Sequence, residues 1–315
     1  MADDYILEVK NLCQHFSSGR GKKKMVVKAV DDVSFSVRRA ETFGLVGESG
    51  CGKTTTGRTI IRLYDPTGGE VLFDGKPISG KMDKELRNYL TSNISMIFQD
   101  PIESLNPKMT IEEIVGEGLK VRGQKDPAEI RQKVVEMLAK VGLVEEHATR
   151  YPHEFSGGQR QRIGIARAII INPKMVIADE PVSALDVSVQ AQVINLLNDL
   201  KEEMGLTILF IAHNLSVVKY FSDRIGVMYY GHLVEVANGD DLYAKPLHPY
   251  TRALLSAIPE PNPLTERTRV RIDYVPERDH DYSVEKPSME EVEPGHFVYC
   301  SPSELKKYRE IVKDA

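Results

Sequence analysis

Gly47-Glu48-Ser49-Gly50-Cys51-Gly52-Lys53-Thr54 follows the apolar run Phe43 to Val46 and opens a stretch, Lys53 to Leu63, that is patterned as a helix. The string fits G-x-x-x-x-G-K-[ST] in the strand-to-helix setting that this motif needs. Gly47, Gly50 and Gly52 let the backbone curl so that its N–H groups, those of Glu48, Ser49 and Cys51 included, point inward at phosphate oxygens, and the helix N-terminus adds a favourable dipole. In that cradle Lys53 reaches the β and γ phosphates, the Thr54 hydroxyl suits Mg²⁺, and Thr55 supports a phosphate contact. Cys51 reads either as a redox-sensitive thiol, its pKa lowered by the helix end, or as a small side chain that fits a tight loop.

Two further stretches suit the same chemistry. Lys174-Met175-Val176-Ile177-Ala178-Asp179-Glu180 is an apolar strand ending in two carboxylates. Beside a phosphate loop, Asp179 suits Mg²⁺ held through water, and Glu180 suits orienting or deprotonating an attacking water. Alone, such a pair is more often a solvated strand end. Phe155-Ser156-Gly157-Gly158-Gln159 precedes a helix expected from about Arg160 to Ile171, which Asn172-Pro173 ends. Ser156 is a good N-cap and the two glycines bare backbone N–H groups at a positive helix end, which makes a second anion site.

Working outward, strand and helix patterns alternate. Tyr5 to Val9 and Ser34 to Val37 alternate apolar with polar residues, while Met175 to Ala178 and Thr207 to Ala212 are strands each followed by a helical stretch. That order predicts a parallel α/β sheet. From about residue 100 to 170 the pattern turns helical and charged, with Ile114, Val115, Leu119, Val134, Val135 and Leu138 at helical spacing, which predicts an inserted helical subdomain. Prolines recur from Pro246 onward, so residues 255–315 are expected to be an irregular appended segment with a short final helix from Ser303. The run Gly19 to Lys24 is a phosphate or lipid patch on one reading and a solvated loop on the other. Lys108, His147, His153 and His248 are read as structure or surface.

Composition narrows the function classes. Among 315 residues, 41% are hydrophobic and 28% charged, which excludes wholesale disorder and a fibrous repeat. A net charge of −5 argues against a chain whose main partner is nucleic acid. The longest apolar stretches fall far short of the ~20 residues that a membrane-spanning helix needs. Asp3, Asp4 and Glu8 stand where a secretory signal would need positive charge and an apolar core, so a cytoplasmic chain is expected. The three cysteines, Cys13, Cys51 and Cys300, lie far apart and suggest neither a disulfide framework nor a zinc knuckle.

Taken in order, these motifs resemble the ATP-binding cassette proteins, the ATPase subunits of ABC transporters, over about residues 5 to 250. Phe16, or less well His15, matches the aromatic that stacks on adenine. Gln99 in Phe98-Gln99-Asp100 matches the glutamine loop, Ser156 to Gln159 the signature, Ser183-Ala184-Leu185-Asp186 the D-loop, and His213 the switch histidine. The resemblance implies a P-loop NTPase cassette: an α/β, RecA-like core with an antiparallel β subdomain and an inserted helical subdomain. It divides the chain into a nucleotide-binding domain over 1–254, with the insertion at about 100–170, and a C-terminal extension over 255–315. It also implies ATP and Mg²⁺ as ligands, with Thr54, Gln99 and Asp179 toward the metal and Glu180, His213 and Gln99 in catalysis. Two such cassettes pair head to tail, the signature and Asp186 of one closing on the ATP held by the other.

Finer wording is similar to that of oligopeptide and dipeptide importer ATPases, especially the F-type subunits of the oligopeptide permease family. It lies in Phe98-Gln99-Asp100-Pro101 with Ser104 to Thr110, in Tyr151 to Arg160, in Ala178 to Ser188, and in His248-Pro249-Tyr250-Thr251-Arg252-Ala253-Leu254-Leu255. Relatives that import nickel or other small solutes share much of it. The resemblance implies a peripheral subunit on the cytoplasmic face of the cell membrane, paired as a heterodimer with a second homologous ATPase, docked on two transmembrane permeases and supplied by an extracytoplasmic peptide-binding protein. A soluble cassette acting on DNA or the ribosome is the rival, and it lacks support from the charge. Two departures stand out. Many members hold an iron–sulfur cluster with four cysteines in the extension, whereas only Cys300 lies there, so no cluster is expected. Asn214 follows the switch histidine where aspartate is common, which implies tuning of His213 rather than loss of activity.

Overall fold

Thr42–Val46, Met175–Asp179 and Thr207–Ala212 are buried at every residue, as strands covered on both faces must be. In the computed structural model, which describes residues 5–19, 25–259 and 269–313, they are the centre of an eight-stranded sheet. The strands, in chain order, are β1 (Tyr5–Ser18), β2 (Met25–Arg38), β3 (Thr42–Val46), β4 (Gly68–Phe73), β5 (Lys76–Pro77), β6 (Ile94–Ile97), β7 (Met175–Asp179), β8 (Thr207–Ala212), β9 (Arg224–Tyr229), β10 (His232–Asn238), β11 (Ser288–Glu293) and β12 (His296–Cys300). The large sheet runs β11-β12-β10-β9-β3-β8-β7-β6, parallel from β9 to β6 and antiparallel from β9 outward through β10 and β12 to β11. A second, antiparallel sheet of order β2-β1-β4-β5 packs over it, with Phe35 of β2 stacked on Phe43 of β3 at 5.0 Å between centroids.

Helices connect the strands as the alternation requires: α1 (Lys53–Ile60), α2 (Lys84–Asn93), α3 (Ile111–Val121), α4 (Pro127–Lys140), α5 (Gly157–Ile169), α6 (Val187–Met204), α7 (Leu215–Phe221), α8 (Gly239–Ala244), α9 (Pro249–Ser256), α10 (Pro276–Asp279) and α11 (Pro302–Lys313). Local chemistry sets their ends. Thr110 and Glu113 form a capping box at α3, Asp126 caps α4 with Pro127 in the first turn, and Gly205 ends α6 in the left-handed region. Between β6 and β7 the chain leaves the sheet for α3, α4 and α5, whose apolar faces share one core with β7, β8 and α6. Among the described residues no helix is long and apolar enough to cross a membrane.

Boundaries differ from expectation at several elements. β1 and β2 extend well beyond Tyr5 to Val9 and Ser34 to Val37, and α1 stops at Ile60 rather than Leu63, with Arg62 at positive φ. α5 begins at Gly157 rather than Arg160, because Ser156 caps it directly. The larger correction concerns 255–315. Its prolines bound elements instead of preventing them: Pro287 precedes β11, Pro294 sits in the β11–β12 turn, and Pro302 opens α11. β12 alternates buried His296, Val298 and Cys300 with half-buried Phe297 and Tyr299, and pairs with β10 through Glu235↔Val298 and Val236↔Phe297. The segment is thus part of the main sheet. Arg20 to Lys24 of the basic run lie outside the described residues.

Candidate functional site

The phosphate loop lies between the buried end of β3 and α1, and it needs its glycines. Gly47 and Gly52 have φ of +150° and +112°, and a Cβ on either would stand 2.2 Å from a backbone oxygen, that of Met228 or Ala29. Lys53 is buried and donates from Nζ to the carbonyls of Gly47 (2.8 Å) and Glu48 (2.9 Å). Its ammonium therefore sits inside the loop, where a phosphate oxygen could take over either bond. Ser49 and Gly50 are exposed. Cys51 is buried, and burial pushes its thiol up despite Lys53 nearby, so the helix end does not make it a low-pKa thiol. That burial favours the packing reading of Cys51 over the redox one.

Two of the residues expected to hold Mg²⁺ meet at the first turn of α1. Thr54 Oγ1 donates to Asp179 Oδ1 at 2.7 Å. Asp179 Oδ2 is buried without a hydrogen-bond partner, and its nearest cation is the Arg58 guanidinium at 3.8 Å. Burial raises the Asp179 carboxyl above its ordinary range, opposed by Thr54 and Arg58. A buried carboxylate oxygen without a donor, next to a threonine hydroxyl and a glycine cradle, fits a hard divalent cation with oxygen ligands.

One residue further, Glu180 adopts positive φ (46°), which turns its side chain off the end of β7. Its Oε2 accepts from Gln99 Nε2 at 3.0 Å and lies 3.0 Å from His213 Nδ1. Gln99 follows β6 and His213 follows β8, so the two strands that flank β7 each deliver one partner to the same carboxylate oxygen. His213 is half exposed, and the Asn214 side chain accepts from Ser216 N and caps α7.

Ser156 to Gln159 form a capping box at α5, with Ser156 Oγ accepting from Gln159 N and Gln159 Oε1 accepting from Ser156 N. Gly158 packs so close to α6 that a Cβ would stand 2.6 Å from Val189 Cγ1, and Gly157 faces Leu185. The signature and the Ser183–Asp186 turn are thereby one packed unit. Asp186 is exposed, and its carboxylate makes no cap bond to α6. Among the described residues, the hydrogen bonds of Ser156 to Gln159 are all local, and none joins the chain's own phosphate loop. Phe16 on β1 is exposed and edge-on to Tyr64 at 5.3 Å. His15 points instead to Asp31 at 2.9 Å, which leaves Phe16 as the open aromatic face.

One contact was not legible from the motifs. Glu48 N donates to Tyr250 Oη at 3.2 Å, and Tyr250 of α9 packs with Tyr229 and Tyr274 (centroids 4.5 and 5.5 Å), so the last helix of the cassette touches the phosphate loop and Tyr274 of the extension backs it. His248, read as structure or surface, is buried and caps α9 through Nδ1. Burial, with His280 4.9 Å away, drives its pKa down to about 3.

Comparison with known proteins agrees with this geometry. The ABC transporter family matches residues 30–183, and a second family, the oligopeptide/dipeptide transporter C-terminal region, matches residues 234–283. The chain is 57% identical over 304 residues to the oligopeptide transport ATP-binding protein OppF of Bacillus subtilis (strain 168), covering 96% of this chain and 98% of that one. It is 53% identical over 307 residues to the dipeptide transport ATP-binding protein DppF of Lactococcus lactis subsp. cremoris, covering 96% of each. Among solved structures, the ATP-binding cassette MJ0796, a dimer in a post-hydrolysis state bound to ADP and Pi, aligns with a TM-score of 0.66 at 31% identity, covering 74% of this chain and 98% of that one. CbiO1 of Clostridium perfringens, part of the transporter complex cbiONQ, aligns with a TM-score of 0.67 at 29% identity, covering 77% and 92%.

Proposed function

The chain belongs to the ABC transporter family as an ATP-hydrolysing subunit, and from that premise we propose that it powers the import of oligopeptides from the cytoplasmic face of the membrane. Its oligopeptide/dipeptide-type C-terminal region and its peptide-transporting relatives support this cargo. The observation that carries the mechanism is the carboxylate of Glu180, held at one oxygen by Gln99 and His213, beside the Thr54–Asp179 pair.

Each residue then has a task. The N–H groups of 47–53 receive phosphate oxygens, and Lys53 Nζ exchanges the Gly47 and Glu48 carbonyls for them. Thr54 and Asp179, with Gln99 from the β6 end, hold Mg²⁺, which when bound offsets charge on the β and γ phosphates. Phe16 offers its face to adenine. Glu180 orients the attacking water and accepts its proton, and His213 aligns Glu180 while its other ring nitrogen reaches toward the γ phosphate. Among the described residues, Ser156 to Gln159 make only local hydrogen bonds and Asp186 is exposed, which supports a role for them on nucleotide held by a second, homologous cassette. Closure on ATP and reopening after hydrolysis would be passed to two permease subunits through the surface containing Gln99 and the helices after it, with an extracytoplasmic binding protein delivering peptide.

The test is to tag the Glu180→Gln chain in its host, solubilise membranes with Mg-ATP present, and identify what copurifies. Two permeases, a second cassette chain and a peptide-binding protein are expected. Recovery with ribosomes or DNA, or with no membrane protein, would defeat the importer reading while leaving the ATPase chemistry intact.

A further inference from the structure

Outside the nucleotide site, three strands bring sulfur, nitrogen and carboxylate donors to one spot. Cys13 and His15 stand two apart on β1 and so share a face, and Asp31 comes from β2 where the β1–β2 register is irregular. Their donor atoms all lie within 4.8 Å of one another. His15 Nε2 is 2.9 Å and Cys13 Sγ 4.0 Å from Asp31 Oδ1. A fourth donor arrives from the start of β10, where His232 Nε2 lies 3.8 Å from Asp31 Oδ2. We propose that Cys13, His15, Asp31 and His232 form a binding site for a borderline divalent transition metal, of which Zn²⁺ is the probe.

The donor set decides the class of ion. One thiolate, two imidazoles and one carboxylate suit Zn²⁺ and its neighbours, whereas Mg²⁺ and Ca²⁺ favour all-oxygen sites. Tetrahedral Zn²⁺ with bonds of 2.0–2.3 Å places its ligand atoms about 3.3–3.7 Å apart, so Cys13, His15 and Asp31 need shifts on the order of 1 Å, while His232, 3.8 Å from Asp31 but outside that close group, must move further. The groups can ionise as ligands must. Cys13 Sγ already accepts from Asp32 N at 3.4 Å, a donor that would stabilise the thiolate, and metal binding would release the thiol proton to solvent. Lys28 Nζ, 2.9 Å from Asp31 Oδ2, occupies the cation's place; its side chain is 61% exposed and can swing into water. A bound ion would tie β1 and β2 to the β9–β10 turn. In that turn Gly231 O accepts from Asp31 N at 2.9 Å and Gly231 N donates to Cys51 O of the phosphate loop at 2.8 Å.

The experiment uses the full chain without nucleotide or Mg²⁺. Zn²⁺ is titrated against a chromophoric chelator, and Co²⁺ is added as a spectroscopic stand-in. One Zn²⁺ site is expected, with a near-ultraviolet sulfur-to-cobalt band. Cys13→Ser should abolish the band, and Cys13→Ser and His15→Ala should each weaken Zn²⁺ at least about tenfold, as loss of a ligand costs no less than loss of an outer partner. Lys28→Ala, an exposed change that spares folding, should tighten binding severalfold. Zn²⁺ affinity equal in the unsubstituted chain and Cys13→Ser, a cobalt band that survives Cys13→Ser, or unchanged affinity in Lys28→Ala would overturn the proposal. Metal captured by the Asp179 and Glu180 carboxylates gives no thiolate band and so counts against it.

Discussion

Replacing Glu235 by glutamine should unfasten the C-terminal hairpin from the sheet. Glu235 is fully buried on β10. Its Oε1 accepts from Leu247 N (2.8 Å) and His296 Nε2 (2.7 Å), and its Oε2 from His248 N (3.0 Å). A glutamine offers one oxygen and one NH₂ in the same shape. If its oxygen serves Leu247 and His296, the NH₂ faces the His248 N–H, donor against donor. An orphaned buried donor costs about 1–3 kcal/mol, and loss of charge assistance on the two remaining bonds costs about 1 kcal/mol each. The sum, about 3–5 kcal/mol, matches what breaking a buried ion pair costs. In a chain of this size that lowers Tm by roughly 5–15 °C. Differential scanning fluorimetry reads the shift, and hydrogen exchange should show β11 and β12 losing protection first.

The same pair predicts a pH dependence. Burial works against charge on His296, but the Glu235 and Glu293 carboxylates outweigh it, so the folded pKa is raised above 6.5. Its contribution is therefore fully present below about 6.5, the unfolded value, and is lost as pH rises through the folded pKa. Glu235→Gln should flatten that slope. A Tm within about 1 °C of the unsubstituted chain, with protection of β12 unchanged, would refute the buried-pair argument.

Two further outcomes check the nucleotide site and a third the cysteines. Glu180→Gln should cut single-turnover hydrolysis by about 10²–10⁴-fold, the usual worth of a positioned base, while fluorescent-ATP binding is retained; a fall under tenfold would remove Glu180 as the water-orienting carboxylate. Lys53→Ala withdraws both the loop-closing bonds and the phosphate contact, so nucleotide binding by equilibrium dialysis should be lost, and near-normal ATPase activity in the assembled transporter would contradict the loop assignment. Mild alkylation near neutral pH should label the partly exposed Cys13 but spare Cys51, whose thiol burial raises, and Cys300, pushed up to about 12 by burial, until the chain is unfolded; peptide mass spectrometry would detect early labelling of Cys51.

The parallel strands were legible because their signal is local. β8 matches the expected bounds at both ends and β3 differs by one residue, since a strand buried on both faces is a continuous apolar run that stops at a glycine or a polar residue. The phosphate loop, the two carboxylates and the signature were legible for a similar reason: each is a short string whose glycines, cap or carboxylates serve one purpose. The antiparallel strands were legible only in part. β1 and β2 carry bulges and left-handed residues at Asn11 and Asp32, which break the alternation that periodicity relies on. β11 and β12 were missed because Ser288–Glu293 is rich in acid, sits at a sheet edge, and lies among prolines that read as breakers.

By itself, the order of residues determined the chemistry: which groups can cradle phosphate, which can hold a divalent cation, and which carboxylate can act on water. Tertiary structure alone decided who meets whom. Gln99 and His213 are 81 and 33 residues from Glu180 in the chain, yet both lie 3.0 Å from the same oxygen, because β6 and β8 flank β7 in the sheet. Tyr250 reaches Glu48 across 202 residues, and His296 reaches Glu235 across 61. No spacing rule encodes such pairs. They follow from strand order and from the cost of leaving a buried polar group unpaired, which is settled only once the strands are packed side by side.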